Sequence, residues 1–156
     1  MKEGDMLETN NRSVLKMLLA HLGIGLLLAS ICLHFEGGIA RPESQTQITK
    51  NITPKEAYTL ILKNKDNHSF VTLDVRTPRE FANGHIEDAV NLDCYSETFK
   101  DTLNRLDHNK IYLIYCQIGG RSGRVLDLMK ELGFREVYNI SGGIIEWKEA
   151  GLPITE

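Results

Sequence analysis

Ile111-Tyr112-Leu113-Ile114-Tyr115-Cys116-Gln117-Ile118-Gly119-Gly120-Arg121-Ser122 is the most informative stretch of the chain. Its first five residues are apolar, β-branched or aromatic, which predicts a strand buried on both faces in the middle of a parallel sheet. A cysteine closes the strand, two glycines follow, and Ser122 opens a helix to Leu132 that Gly133 stops. Open α/β sheets place ligands at the carboxyl ends of such strands. A glycine-rich loop there can curl until successive backbone N–H groups face one point, and the helix N-terminus adds partial positive charge. Both effects favour thiolate over thiol at Cys116, and the thiolate is the nucleophile. The competing reading is a structural core cysteine before a Gly-Gly turn. The coincidence of strand end, glycines, arginine and helix start favours the functional one. Arg121 is expected to brace the loop through backbone carbonyls or to hold an anionic substrate.

Outward from this centre, strands and helices alternate. Thr53-Pro54-Lys55-Glu56 and Thr77-Pro78-Arg79-Glu80 each combine a capping threonine, a proline suited to the first turn and a glutamate that reaches back to the cap. The first helix ends near Asn64 and the second at Gly84. Phe70 to Val75 and Ala89 to Leu92 read as short strands, and Gln45 to Lys50 as the tether plus a short first strand. Ser96 is expected to open a helix through Phe99, Leu103 and Leu106. Val137 to Asn139 is a last strand, and Ile144 to Ala150 a last helix stopped by Gly151 and Pro153. The pattern predicts an α/β fold: a mostly parallel sheet of about five strands with helices on both faces.

Composition adds mainly exclusions. The 156 residues are 42% hydrophobic and 25% charged with a formal net charge of −3, which fits one globular domain and offers no basic surface for nucleic acid. Three cysteines are too few for a disulfide scaffold. Residues 17–35, MLLAHLGIGLLLASICLHF, carry no charge. A basic flank, an apolar core and small residues at Gly38 and Ala40 predict an export signal cleaved after Ala40, or an uncleaved hydrophobic helix long enough to anchor in a bilayer. Either form places the domain outside the cytosol, periplasmic or extracytoplasmic; if residues 17–35 are uncleaved they give its only membrane contact, as an anchor in the inner membrane. Bulky Ile31 before Cys32 argues against a lipid-attachment box. The chain thus divides into residues 1–40 as signal or anchor, 41–51 as tether, and 52–156 as the domain.

The domain resembles the rhodanese-like family. Leu73-Asp74-Val75-Arg76, Glu80-Phe81, Gly84-His85-Ile86 and Ala89-Val90-Asn91 look like that family's first signature, and Tyr115-Cys116 through Arg121-Ser122 looks like its catalytic loop. Gly133-Phe134, Val137-Tyr138-Asn139, Gly142-Gly143, Trp147 and Gly151-Leu152-Pro153 look like its closing segment. The likeness runs from Ile52 to Ile154 in order and spacing. It implies a three-layer sandwich and a single, not tandem, sulfurtransferase domain. It also implies sulfane-sulfur transfer from thiosulfate, polysulfide or persulfide donors to a thiol, cyanide or a protein acceptor. Cys116 would be nucleophile and persulfide carrier, and the N–H groups of Gln117, Ile118, Gly119, Gly120, Arg121 and Ser122 would stabilise the anion. No metal or organic cofactor is implied. The alternative is a sulfur-carrier or partner-binding module with little free turnover. Phosphatase-like or arsenate-reductase-like activity is disfavoured: those related loops place five residues between cysteine and arginine, and this chain has four.

Several positions need separate weighing. Gln117 stands where family members often carry arginine, which removes a cation from the pocket mouth and weakens the case for dianionic thiosulfate. Arg124 is either a solvated helix residue or a partial replacement. Asp88 occupies a signature glycine position, in a turn that must therefore tolerate a side chain. Asp74, Arg76, Glu80 and His85 resemble the family's structural polar set, a network fixing the loops; His85 as general base is the minor alternative. Trp147, Ile144 and Ile145 read as core. His68 and His108 lack further ligands for a metal. Cys94 is either an incidental loop thiol or a resolving partner that discharges the persulfide as a disulfide. The resolving role requires its Cα within roughly 7 Å of that of Cys116.

Overall fold

The structure, a computed structural model, describes residues 46–155. The segment expected to serve as signal or anchor, with Cys32, lies outside them. Among the described residues no helix is long and apolar enough to cross a membrane.

Five strands alternate with five helices: β1 (Ile48–Ile52), α1 (Pro54–Lys63), β2 (Phe70–Asp74), α2 (Pro78–Ala82), β3 (Val90–Asn91), α3 (Phe99–Asn104), β4 (Ile111–Tyr115), α4 (Gly120–Glu131), β5 (Glu136–Ile140) and α5 (Gly143–Glu149). All five strands form one sheet in the order β1-β5-β4-β2-β3, and every pairing is parallel. β4 is the middle strand and is buried over its last four residues, as its unbroken apolar run requires.

The pleat divides the core into two layers. Tyr112, Ile114 and Cys116 face Phe99 and Leu103 of α3 and Val125, Leu126 and Met129 of α4. Leu113 and Tyr115 face the other way, toward Ala57 of α1 and Ile144 and Trp147 of α5. That alternation is the period-2 geometry of a strand, and it gives the three-layer arrangement expected. Trp147 is buried with its indole N–H donating to the Pro153 carbonyl at 2.9 Å, but Ile145, read as core, is an exposed residue.

Both capping boxes form. Thr53 and Thr77 accept from the backbone N–H of Glu56 and Glu80, whose carboxylates return to the cap. Two other helices start two or three residues from where the sequence places them. α3 begins at Phe99 with Thr98 as its cap and no side-chain capping bond, because Ser96 spends its hydroxyl on Thr98. α4 begins at Gly120, two residues before Ser122, since Gly119 at φ +86° makes the turn by itself. Asp88 adopts φ +60°, so the signature glycine is replaced by a residue held in the same left-handed conformation.

The chain leaves β2 toward β3 on one side and leaves β4 toward β5 on the other. The loops after β2 and β4 therefore diverge and open a crevice at their carboxyl ends.

Candidate active site

Cys116 follows β4 directly and is completely buried. The shape of the loop behind it depends on a second glycine pair. Gly143, at φ +58°, lies so close to the Cys116–Gln117 peptide that a Cβ there would sit 2.3 Å from the Cys116 carbonyl oxygen. The N–H of Ile144 donates to that oxygen at 2.9 Å and the N–H of Ile145 to the Gln117 carbonyl at 3.2 Å. On the adjacent turn, a Cβ on Gly119 would lie 3.1 Å from the Gly142 nitrogen. The start of α5 thus draws the first two loop carbonyls away from the centre, leaving donors to face the sulfur.

Those donors are the backbone N–H groups of Ile118, Arg121 and Ser122 and the Ser122 hydroxyl, whose Oγ is 3.3 Å from Cys116 Sγ. The same hydroxyl lies 3.2 Å from the Gly119 carbonyl, so one proton is shared between sulfur and loop. Burial alone would push the Cys116 thiol up, but the donors from Ser122, Ile118 and Arg121 outweigh it and hold the thiol below its ordinary pKa.

Arg121 does brace the loop, but through a carboxylate and not through backbone carbonyls. Its guanidinium meets Glu80 of α2 in a two-pronged pair at 2.9 and 2.5 Å. Glu80 Oε2 also accepts from the Thr77 N–H at 3.0 Å and hydroxyl at 2.8 Å. One carboxylate therefore caps α2 and ties it to the start of α4. The Arg121 hydrogen bond, aided by Thr77, holds the Glu80 carboxyl down to about 2.

Beneath this, Asp74 and Arg76 form a buried ion pair, Nη2 to Oδ2 at 2.6 Å. Arg76 also donates to the Gly84 carbonyl at 2.8 Å and reaches Gln117 Oε1 at 3.3 Å. Asn91 donates to the carbonyls of Asp74 and Arg76. The ends of β2 and β3 are thereby fastened to the loop. His85 stands apart: its ring stacks on Phe81 at 3.8 Å with Nδ1 3.2 Å from the Phe81 carbonyl. His108 stacks on Phe134. Among the described residues, no group of three or more His, Cys, Asp or Glu side chains is placed to hold a metal ion.

Cys94 is partly buried, which pushes its thiol up. Its N–H donates to the Val75 carbonyl at 3.3 Å, and the Val75 N–H donates to the Tyr115 carbonyl at 3.0 Å. Cys94 and Cys116 are both free thiols, and Cys94 packs against the core cluster that contains Cys116.

Above Cys116 opens a cleft of about 490 Å³ lined by Tyr95, Gln117, Ile118, Gly120, Arg121 and Arg124. Ile118, at the loop tip, is 71% exposed and Tyr95 65%. No local signal in the sequence marks Tyr95, the Ser122 hydroxyl as a donor to sulfur, or Glu80 as the partner of Arg121. The capping-box spacing marked Glu80 for a local role only. The Gly142-Gly143 doublet is visible in the sequence, but the close approach to the Cys116–Gln117 peptide that requires it is not.

The family model described as "Rhodanese-like domain" matches residues 53–150. The thiosulfate sulfurtransferase GlpE of Actinobacillus pleuropneumoniae is 31% identical over 103 residues, covering 66% of this chain and 90% of that protein. An uncharacterized protein of Synechocystis is 34% identical over 110 residues, covering 70% of this chain but only 58% of the relative. The crystal structure of a rhodanese-like domain protein from Staphylococcus aureus, 36% identical, aligns with a TM-score of 0.52 over 69% of this chain and 99% of its own.

Proposed function

The chain belongs to the rhodanese-like domain family, and we propose that it is a sulfurtransferase in which Cys116 carries the transferred sulfur. The observation that carries this reading is the set of donors converging on one buried sulfur: the Ser122 hydroxyl and the N–H groups of Ile118, Arg121 and Ser122. A thiolate stabilised in this way attacks the outer sulfur of a donor such as thiosulfate or a polysulfide. A new S–S bond forms at Sγ, the donor's S–S bond breaks, and the leaving group (sulfite, in the case of thiosulfate) departs with the electron pair. The persulfide anion then occupies the same circle of donors until an acceptor nucleophile takes its outer sulfur. No other base is needed, because the persulfide is a stronger acid than the thiol and is already anionic.

Arg121 is committed to Glu80, and residue 117 is an uncharged glutamine held by Arg76. The pocket mouth therefore offers a weaker grip on a dianion, which supports polysulfides and persulfides as donors at least as good as thiosulfate. Steady-state transfer to cyanide, read as thiocyanate, tests the activity. Turnover with either donor that vanishes in Cys116→Ser is the expected result; turnover that survives the substitution contradicts the assignment. The uncharged run at residues 17–35 supports an extracytoplasmic site of action. Fractionation of cells that make the full chain checks it, and recovery in the cytosol alone rejects it.

A further inference from the structure

A second cleft of about 230 Å³ adjoins the one over Cys116. The two share Tyr95, Arg121 and Arg124 as a common wall. The second is walled by Cys94, Phe99, Val125 and Leu128, all apolar or weakly polar, with Lys100 at its edge. Together they form a two-lobed groove of the size that holds a small organic ligand, far more room than an inorganic sulfur anion fills.

The charges in the groove differ in availability. The guanidinium of Arg121 is neutralised by Glu80 in the two-pronged pair. Arg124, one turn further along α4 and an exposed residue, has no acidic side chain within ion-pair distance among the described residues. It borders both lobes, and Lys100 stands at the rim of the second. An apolar lobe edged by two uncommitted cations is complementary to a ligand with an organic body and a carboxylate.

Building on the proposed sulfurtransferase function, we infer that the preferred donor is a small organic persulfide bearing a carboxylate. Its body lies in the lobe formed by Phe99, Val125 and Leu128, its carboxylate on Arg124, and its outer sulfur over Cys116. The chemistry balances without an oxidant. The Cys116 thiolate attacks the outer sulfur of R–S–SH, the R–S to S bond breaks, and R–S⁻ leaves with the electron pair. The new persulfide keeps the proton and then releases it to water. Arg124 is a specificity-determining residue in this account, since it touches the donor's carboxylate and not the reacting sulfurs.

The test measures kcat/KM for loading Cys116 of the full chain with glutathione persulfide and with an uncharged alkyl persulfide. Arg124→Gln should lower the preference for the carboxylated donor by roughly fivefold, mostly through KM, as expected for an exposed charge-assisted contact; Arg124→Lys should restore part of it. Leu128→Trp, which fills the second lobe, should raise KM for both organic donors relative to thiosulfate. A preference unchanged by Arg124→Gln overturns the inference while leaving the sulfurtransferase reading standing. Failure of every donor to place sulfur on Cys116 overturns both.

Discussion

At Cys116 two effects oppose each other: burial favours the neutral thiol, and a ring of donors favours the thiolate. The donors prevail, and the Ser122 hydroxyl is the one contributor among them that a side-chain substitution removes cleanly. A hydrogen bond to a charged group is worth about 1.5 to 3 kcal/mol, so Ser122→Ala should raise the Cys116 pKa by roughly one pH unit. The sign follows from the donor's preference for the anion. The midpoint of the pH dependence of Cys116 alkylation, followed by mass spectrometry, should move upward. An unmoved midpoint would show that the backbone N–H groups alone set the thiol's acidity. The sequence made the backbone contribution legible because glycines and a helix start are local signals. The hydroxyl's role depends on the actual curl of the loop, which places residue 122 back over residue 116.

Among the elements, the interlock between the loop and α5 and the α2–α4 tie are the features that hold the site in shape. Gly143→Ala would drive a methyl group into the Cys116–Gln117 peptide, backbone that has no freedom to retreat, and should cost at least about 3 kcal/mol. Gly133 also has positive φ but open space around its Cα, so Gly133→Ala should cost only about 1 kcal/mol. Denaturant unfolding of the two variants separates crowding from backbone conformation. Equal losses would remove the interlock from the account. The Glu80–Arg121 tie predicts a pH effect. The folded-state pKa of Glu80 is lowered from 4.5 to about 2, so its stabilising contribution is present above about pH 5 and fades as pH falls toward 2. The stability of Glu80→Gln should therefore decline less steeply across that window than that of the parent; the same slope in both would show the pair to be energetically silent. Capping boxes could be read from four consecutive residues. A pair joining residues 80 and 121 could not, because nothing local records a contact across 41 positions.

Taken whole, the described residues owe their organisation to one buried strand. β4 read correctly end to end because its apolar run admits only a central position. The short β3 and the starts of α3 and α4 shifted by one to three residues, since tertiary contacts and a left-handed glycine decided them. The strand order, and with it the meeting of the β2 and β4 loops, follows from topology that periodicity does not encode. All five strands of the described residues lie within the unit of residues 44–156. A fragment of residues 44–156 is accordingly expected to unfold in a single cooperative transition, seen as coincident far- and near-ultraviolet dichroism curves; separated curves would contradict a self-sufficient domain. The central claim, that Cys116 of this domain carries sulfur, is met most directly by intact mass after brief exposure of the protein to polysulfide and, separately, to thiosulfate. The account predicts a gain of one sulfur atom, larger in yield with polysulfide, that is absent in Cys116→Ser. No gain from either donor, or a gain that persists in Cys116→Ser, would contradict it.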